Sequence, residues 1–320
     1  METANGTCVK EFILLGFLVE PQKRFMLLVF FAILYVLTLT ENITVIALVS
    51  LDAHLAQLPM YILLSNFSWL EICYVTSTVP RMLFDLASAH GIISFQACFL
   101  QFYMLFSLGF TEFFFLSAMA FDRYLAICHP LHYAQIMSPK SCYSLVAACW
   151  VFGFLVFIIP VIWISKLSFC GPNIIDHFLC DPGPILSLAC PPLGKVPLLC
   201  QIVEYTLFLG NFLFLQLSYS NVIFTLLKSS GTRRKAFSTI SMHLTVAIIF
   251  YGSVGGMYLI PGGESHSEIT KMVTVFYAAG TPFLNPLIYC LRNNQVKEAL
   301  RRLLRRRLSF LMGKVTVSKV

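Results

Sequence analysis

The sequence predicts an all-α membrane protein, a bundle of seven transmembrane helices followed by a short amphipathic C-terminal helix. Of its 320 residues, 58% are hydrophobic and only 12% are charged, far from the balance of a water-soluble protein. The hydrophobic residues fall in seven stretches that each reach the ~20 residues needed to cross a bilayer. Most lysines and arginines lie between those stretches or at the C-terminus, so the formal net charge of +7 indicates cytoplasmic loops rather than a nucleic-acid surface.

The seven stretches define the elements in chain order. They run Phe25–Val49, Pro59–Leu86, Phe99–Ile127, Cys142–Ile164, Val196–Leu227, Phe237–Ile260 and Met272–Leu291. Inside hydrocarbon the backbone finds no water partner, so each stretch is predicted to be helical whatever its aromatic and β-branched content. Pro160 and Pro282 are expected to kink their helices without ending them.

Charge then orients the chain in the plasma membrane. Basic residues concentrate on the side that holds Lys228, Arg233 and the tail arginines, and the positive-inside rule makes that side cytoplasmic. We therefore expect an extracellular N-terminus over 1–24, a seven-helix domain over 25–291 with a long outer loop over 165–195, and a cytoplasmic tail over 292–320. No cleavable signal peptide is expected, and Asn5 begins an outer-side glycosylation triplet. Residues 294–308 alternate leucine with arginine and predict the amphipathic helix on inner-leaflet lipid; a disordered basic tail is the alternative.

Four of the 11 cysteines lie in or beside the outer loop, where the compartment is oxidising. These four, Cys98, Cys170, Cys180 and Cys190, predict two disulfides, for which the sequence allows three pairings. His177 and Asp181 flank Cys180 and supply metal-ligand types. A disulfide at Cys180 would remove its thiolate, so a structural loop is expected here, with His177 and Asp181 the remaining metal candidates.

Several polar residues fall inside the predicted spans, where each charge costs a few kcal/mol. Glu71 and Glu112 lie in different helices and would repel if both were ionised, so we expect either a neutral hydrogen-bonded cluster or a cation between them. Glu204, near the outer end of the fifth span, either meets a basic ligand or caps a polar neighbour. Asp122-Arg123 ends the third span, as a functional pair or as a plain interfacial anchor.

Five strings in the chain resemble the odorant receptor family of rhodopsin-like (class A) G-protein-coupled receptors, in its tetrapod-type (class II) group. They are Leu58-Pro-Met-Tyr61 with Leu64-Ser-Asn66, Met119-Ala-Phe-Asp-Arg-Tyr-Leu-Ala-Ile-Cys128, Ser218-Tyr219, Lys235-Ala-Phe-Ser-Thr239, and Pro282-Phe-Leu-Asn-Pro-Leu-Ile-Tyr289 with Leu291-Arg-Asn293. They occur in order and cover nearly the whole chain. The resemblance implies a non-enzymatic receptor that binds small, mostly lipophilic volatile molecules and activates a stimulatory, olfactory-type heterotrimeric G protein to raise cyclic AMP.

The resemblance also implies roles for particular residues. Asp122 would restrain Arg123 at rest, and Tyr219 and Tyr289 would turn towards Arg123 when the sixth helix swings outward. The implied activation set is Asp122, Arg123, Tyr124, Tyr219, Lys235, His243, Asn285, Pro286 and Tyr289. The implied polar network, a candidate sodium site, is Asn42, Glu71, Glu112 and Asn285, and the implied disulfides are Cys98–Cys180 and Cys170–Cys190. Glu41, Glu71, Ile240 and Met242 depart from the family pattern and put the details of the resting lock in doubt.

The same resemblance places a ligand pocket in the outer half of the bundle. The matching positions are Phe102, Leu105, Phe106, Gly109, Val203, Glu204, Leu207, Tyr251, Val254, Tyr258, Val275 and Ala278. This mostly apolar set suits a small lipophilic molecule with one hydrogen bond to a tyrosine, although an aromatic stripe at helical spacing is also typical of core packing. A receptor of the same architecture for an endogenous ligand stays open as an alternative. A channel or transporter is disfavoured by the lack of internal repeats.

Overall fold

The computed structural model describes residues 9–88, 91–170, 172–228, 233–259, 267–293, 295–303 and 305, without the side chains at 233–239, 257–259, 267–268 and 290–292. Its helices are α1 (Pro21–Leu51), α2 (Pro59–Ala87), α3 (Phe95–Cys128), α4 (Pro130–Ile136), α5 (Pro139–Ser165), α6 (Pro182–Ser187), α7 (Val196–Lys228), α8 (Arg233–Leu259), α9 (Ser267–Val275) and α10 (Thr281–Arg292). A π-helical turn at Phe276–Gly280 joins α9 to α10. Six of the seven predicted spans lie within one of these helices, with Ile260 outside the described residues, whereas the predicted span Met272–Leu291 is divided among α9, the π-helical turn and α10.

The helix α3 occupies the centre of the bundle. It packs against α2, α5 and α7, and 67% of its most apolar segment is buried, compared with 17% in α1 and in α7. By length and hydropathy alone α1, α3, α5 and α7 qualify as membrane spans, while α2 carries Glu71, Arg81 and Asp85. The peripheral helices therefore present apolar surface outward, as a lipid-embedded bundle requires.

A small sheet at the outer end was not predicted from the sequence. Its strands are β1 (Glu11–Leu14), β2 (Ile92–Ser94) and β3 (Ile174–Ile175), in the order β2-β1-β3, with β1 antiparallel to β2 and parallel to β3. Phe12 is buried beneath it against Phe95 and Phe169. Strands of two to four residues are too short for the alternation of apolar and polar residues to reveal them in the sequence.

The outer loop is a cross-linked lid. Cys98–Cys180 ties it to the outer end of α3 with 5.5 Å between the Cα atoms, and Cys170–Cys190 closes the loop on itself at 5.1 Å. Of the three pairings that the sequence allows, the structure contains the one that the family resemblance implied. A third tie is ionic: Lys271 Nζ on α9, 1% exposed, lies 2.7 Å from Asp176 Oδ1.

After α10, the chain forms a further helical segment over residues 295–303. Val296 and Ala299 are buried against the bundle while Arg301 is exposed, the amphipathic arrangement that the leucine and arginine alternation predicts. Arg302 donates to Asp52 Oδ2 at 2.8 Å and holds the pKa of that carboxyl below its usual value. The remainder of the predicted helix, from 306 to 308, lies outside the described residues.

Candidate functional site

A cavity of about 330 Å³ lies in the outer half of the bundle, beneath the lid. Helices α3, α7 and α8 form its walls, and Tyr277 of the π-helical turn closes one side. Five of the predicted pocket positions line it: Leu105, Phe106, Gly109, Glu204 and Val254. The wall is mostly apolar, and a cavity of this size with a few polar groups is typical of a small-molecule site.

Six predicted pocket positions do not line the cavity: Phe102, Val203, Leu207, Tyr251, Val275 and Ala278. Phe102 is fully buried, and its ring packs edge-on against Phe106 at 5.1 Å and Phe157 at 5.7 Å. Tyr251 lies in a similar aromatic cluster with Phe113 and Phe212. Phe102 and Tyr251 therefore pack among neighbouring aromatic rings and do not line the cavity. The side chain of Tyr258 lies outside the described set.

Several lining residues were missed by sequence reasoning. They are Tyr74, Phe110, Phe113, Asp181, Pro182, Gly183, Pro184, Leu186, Pro197, Cys200, Gln201, Phe250, Thr270 and Tyr277. The lid contributes a block of these residues because the Cys98–Cys180 disulfide holds the following segment over the bundle mouth. That implied disulfide was the one sequence signal that could have placed Asp181 at the cavity.

Two carboxyl groups face this mostly apolar space. Asp181 caps α6, and its Oδ1 accepts a hydrogen bond from Gly183 N at 3.1 Å. Burial raises the pKa of Asp181 to about 6, against the lowering effect of that hydrogen bond. Glu204 on α7 is 9% exposed and lies close enough to Asp181 for the two charges to interact. The cavity therefore brings two carboxyl groups together.

Few metal-ligand side chains surround His177 and Asp181 in the lid. Cys180 is in a disulfide, and His177 Nδ1 already accepts from Leu179 N at 3.0 Å. Burial lowers the pKa of His177 to about 4, so its imidazole is neutral at physiological pH. Throughout the described part of the chain, no group of three or more histidine, cysteine, aspartate or glutamate residues gathers as a metal site. His177 and Asp181 lack the further ligands that a metal centre needs.

A buried polar cluster lies deeper in the bundle. Asn285 Nδ2 donates to Glu71 Oε1 and lies 3.5 Å from Glu112 Oε1, which brings three of the four predicted network residues together. Asn42 instead donates to the Thr38 carbonyl at 2.9 Å and the Pro282 carbonyl at 3.2 Å, and so ties α1 to α10. Glu71 Oε2 and Asn285 Oδ1 have no hydrogen-bond partner among the described residues. These spare oxygens are the ligand type that a hard cation prefers.

At the inner end of α3, Arg123 is held by its neighbour. Arg123 Nε donates to Asp122 Oδ2 at 2.8 Å, and Asp122 Oδ1 accepts from Tyr133 OH at 2.7 Å. Asp122 is buried, and each of its two carboxylate oxygens accepts a hydrogen bond from a protein side chain. Tyr133, on α4, belongs to the site but was not singled out from the sequence. Its hydrogen bond fixes the carboxylate that restrains Arg123.

The other predicted activation residues lie around α3 and α10. Tyr289 is buried, with its hydroxyl 4.0 Å from Met119 Sδ and its ring 5.3 Å from that of His243. Tyr219 is buried on α7, Pro286 lies within α10, and Tyr124 OH lies 2.9 Å from His129 Nε2. The side chain of Lys235 and the whole of Asn5 lie outside the described set.

Comparison with known proteins yields one family. The model of the olfactory receptor family matches residues 31–307. Human olfactory receptor 11H6 is 50% identical over 298 residues, covering 92% of this chain and 90% of the relative. Human olfactory receptor 11G2 is 50% identical over 301 residues, covering 93% and 87%, and human olfactory receptor 6B1 is 43% identical over 303 residues, covering 95% and 97%.

Proposed function

Because the chain belongs to the olfactory receptor family, we propose that its outer cavity is the odorant site and that occupation of the cavity drives a stimulatory, olfactory-type G protein to raise cyclic AMP. The family makes the protein a multi-pass, seven-transmembrane odorant receptor that couples to G proteins, and the family is not enzymatic. One observation carries the ligand-site proposal. The cavity of about 330 Å³ is enclosed by aromatic walls and covered by a disulfide-linked lid.

The mechanism is a shift between two populations. In the structure Arg123 is paired with Asp122, a contact that we assign to the resting arrangement by analogy with the family. An odorant can favour the active arrangement only if it binds that state more tightly than the resting one. Tyr219, His243 and Tyr289 pack beside the inner half of α3, where such a rearrangement would expose Arg123 to the G protein.

We propose an extracellular N-terminus and a cytoplasmic C-terminus. The basic residues at 228–235 and 297–307 support this orientation through the positive-inside rule. Asn5 would then carry a glycan on the outer side, and the helical segment at 295–303 would lie against inner-leaflet lipid.

The Phe106→Ala variant tests the cavity as the odorant site. Phe106 lines the cavity and stacks on Phe157 at 4.7 Å, so its truncation removes ligand contact area. For an agonist found by screening volatiles with a cyclic AMP readout, we expect its half-maximal concentration to rise about tenfold, equivalent to ~1.4 kcal/mol.

The matched control is Phe152→Ala, which truncates an exposed phenylalanine on α5, outside this cavity. Its agonist potency should stay near that of the unmodified receptor, at equal surface labelling. Equal potency in Phe106→Ala and Phe152→Ala would place the odorant elsewhere. If the receptor responds to no volatile molecule but responds to an endogenous molecule through the same cavity, it is a receptor of the same architecture for an endogenous ligand.

We also propose that a sodium ion neutralises the Glu71–Glu112 pair. Two ionised carboxylates around Asn285 would repel, and the spare oxygens of Glu71 and Asn285 can bind a small cation. Replacing extracellular sodium with choline should change agonist potency by about fivefold in the unmodified receptor, a typical coupling between two sites. In Glu71→Gln this dependence should vanish.

Glu41→Gln is the control for that experiment, because it removes another acid of the membrane region that lies in a separate groove with Leu48 and Leu300. Its sodium dependence should match the unmodified receptor. A receptor whose potency is indifferent to sodium would instead contain a neutral hydrogen-bonded cluster at Glu71 and Glu112.

A further inference from the structure

The outer end of the cavity holds two acids from unrelated parts of the chain. Asp181 comes from the lid and Glu204 from α7, and both line the cavity of about 330 Å³. The lid disulfide at Cys180 fixes Asp181 in this position, since the two residues are adjacent. The juxtaposition is therefore built into the fold and does not depend on a mobile side chain.

Within the described chain, neither acid has a cationic partner. The ion pairs found there involve Glu20, Asp52, Asp85, Asp122 and Asp176, and Lys271 at the bundle mouth pairs with Asp176. Glu204 makes no hydrogen bond to any described residue although it is nine-tenths buried. Only one oxygen of Asp181 is bonded, to Gly183 N. A buried carboxyl group is stabilised either by protonation or by a paired cation, and a cationic ligand in the cavity would supply such a partner.

The phenylalanines of the cavity wall indicate the chemical character of the rest of the ligand. Phe106, Phe110, Phe113 and Phe250 line the space below the acids, and the rings of Phe113 and Phe250 lie 4.7 Å apart. These four rings accommodate an alkyl or aryl group.

We propose that this receptor recognises amines: a protonated primary amine lies between Asp181 and Glu204, and its hydrocarbon group extends along the phenylalanines. This inference rests on the proposed odorant site and names its ligand class. Glu204 makes the larger contribution, because it is the more buried carboxylate and has no protein partner in the described chain. Asp181 contributes less, because Gly183 already occupies one of its oxygens.

The test uses cells that express the full chain and three probes of equal length: 1-hexylamine, 1-hexanol and hexanoic acid. Cyclic AMP is measured for the unmodified receptor, Glu204→Gln and Asp181→Asn, at equal surface labelling. We expect 1-hexylamine to be the most potent of the three. Glu204→Gln should weaken the amine at least about tenfold and Asp181→Asn less, while neither weakens the alcohol, because only the amine places a charge between the acids.

Glu20→Gln is the matched control, since it makes the same chemical change at an exposed residue before α1. Its amine potency should be unchanged. The inference is overturned if Glu204→Gln leaves the amine as potent as before, or if the amine neither activates nor competes with a neutral agonist whose potency depends on Phe106. That second outcome leaves the odorant site in place. The odorant site itself fails if Phe106→Ala alters the response to no agonist at all.

Discussion

Replacing Arg123 with alanine is expected to reduce agonist-dependent cyclic AMP to the level of cells without receptor. Arg123 is the cation at the inner end of α3, and its guanidinium is paired with Asp122 in the structure. If separation of Arg123 from Asp122 creates the surface that binds the G protein, a receptor without Arg123 cannot form that surface. Cyclic AMP should be recorded together with surface labelling, which is expected to stay near normal because Arg123 is only partly buried.

Arg81→Ala provides the matched control. Arg81 lies near the end of α2, where it pairs with Asp85 and donates to the carbonyl of Ile92 just before α3, whereas Arg123 lies near the other end of α3. Its response per surface receptor should persist. Normal signalling by Arg123→Ala at normal surface density would show that Asp122 and Arg123 serve only as an interfacial anchor.

Replacing Cys98 with serine is expected to remove nearly all receptor from the cell surface. The Cys98–Cys180 disulfide closes a separation of 82 residues and holds the lid on α3. In the chain-entropy model, cross-links over such a loop contribute about 4.5 kcal/mol, compared with about 3.3 kcal/mol for the 20-residue separation of Cys170–Cys190. Losing the stabilisation of the Cys98–Cys180 disulfide is comparable to losing the whole free energy of unfolding of many proteins. Surface labelling and total receptor should be quantified side by side.

The control is Cys73→Ser, because Cys73 is a free, half-buried thiol on α2. It should reach the surface in nearly normal amounts, and Cys170→Ser should fall between the two. Surface levels of Cys98→Ser equal to those of Cys73→Ser would contradict the structural role of the lid disulfide.

The fold class and the family were predictable from the sequence, and both predictions are confirmed. Six of the predicted stretches coincide with single helices and the seventh with α9, the π-helical turn and α10, because hydrocarbon leaves the backbone only the helical option. The pair of Asp122 and Arg123 could be recognised because both charges come from consecutive residues. Tyr133 could not, since only the turn into α4 brings its hydroxyl to Asp122.

The candidate ligand site was only partly predictable. Of the predicted positions, Leu105, Phe106 and Gly109 line the cavity, whereas Phe102 and Tyr251 pack in aromatic clusters, because apolar residues look alike in sequence whether they face a cavity or a neighbouring helix.

The amino-acid sequence by itself determined that this chain is a membrane-embedded bundle of helices of the olfactory receptor family. Those properties depend on local composition and on contiguous strings, which the bilayer converts directly into helices. Only the tertiary structure decided which cysteines pair, how β1 joins the lid, and that Asp181 and Glu204 share one cavity. These outcomes depend on contacts between residues far apart in the chain, and packing geometry rather than local pattern selects such contacts.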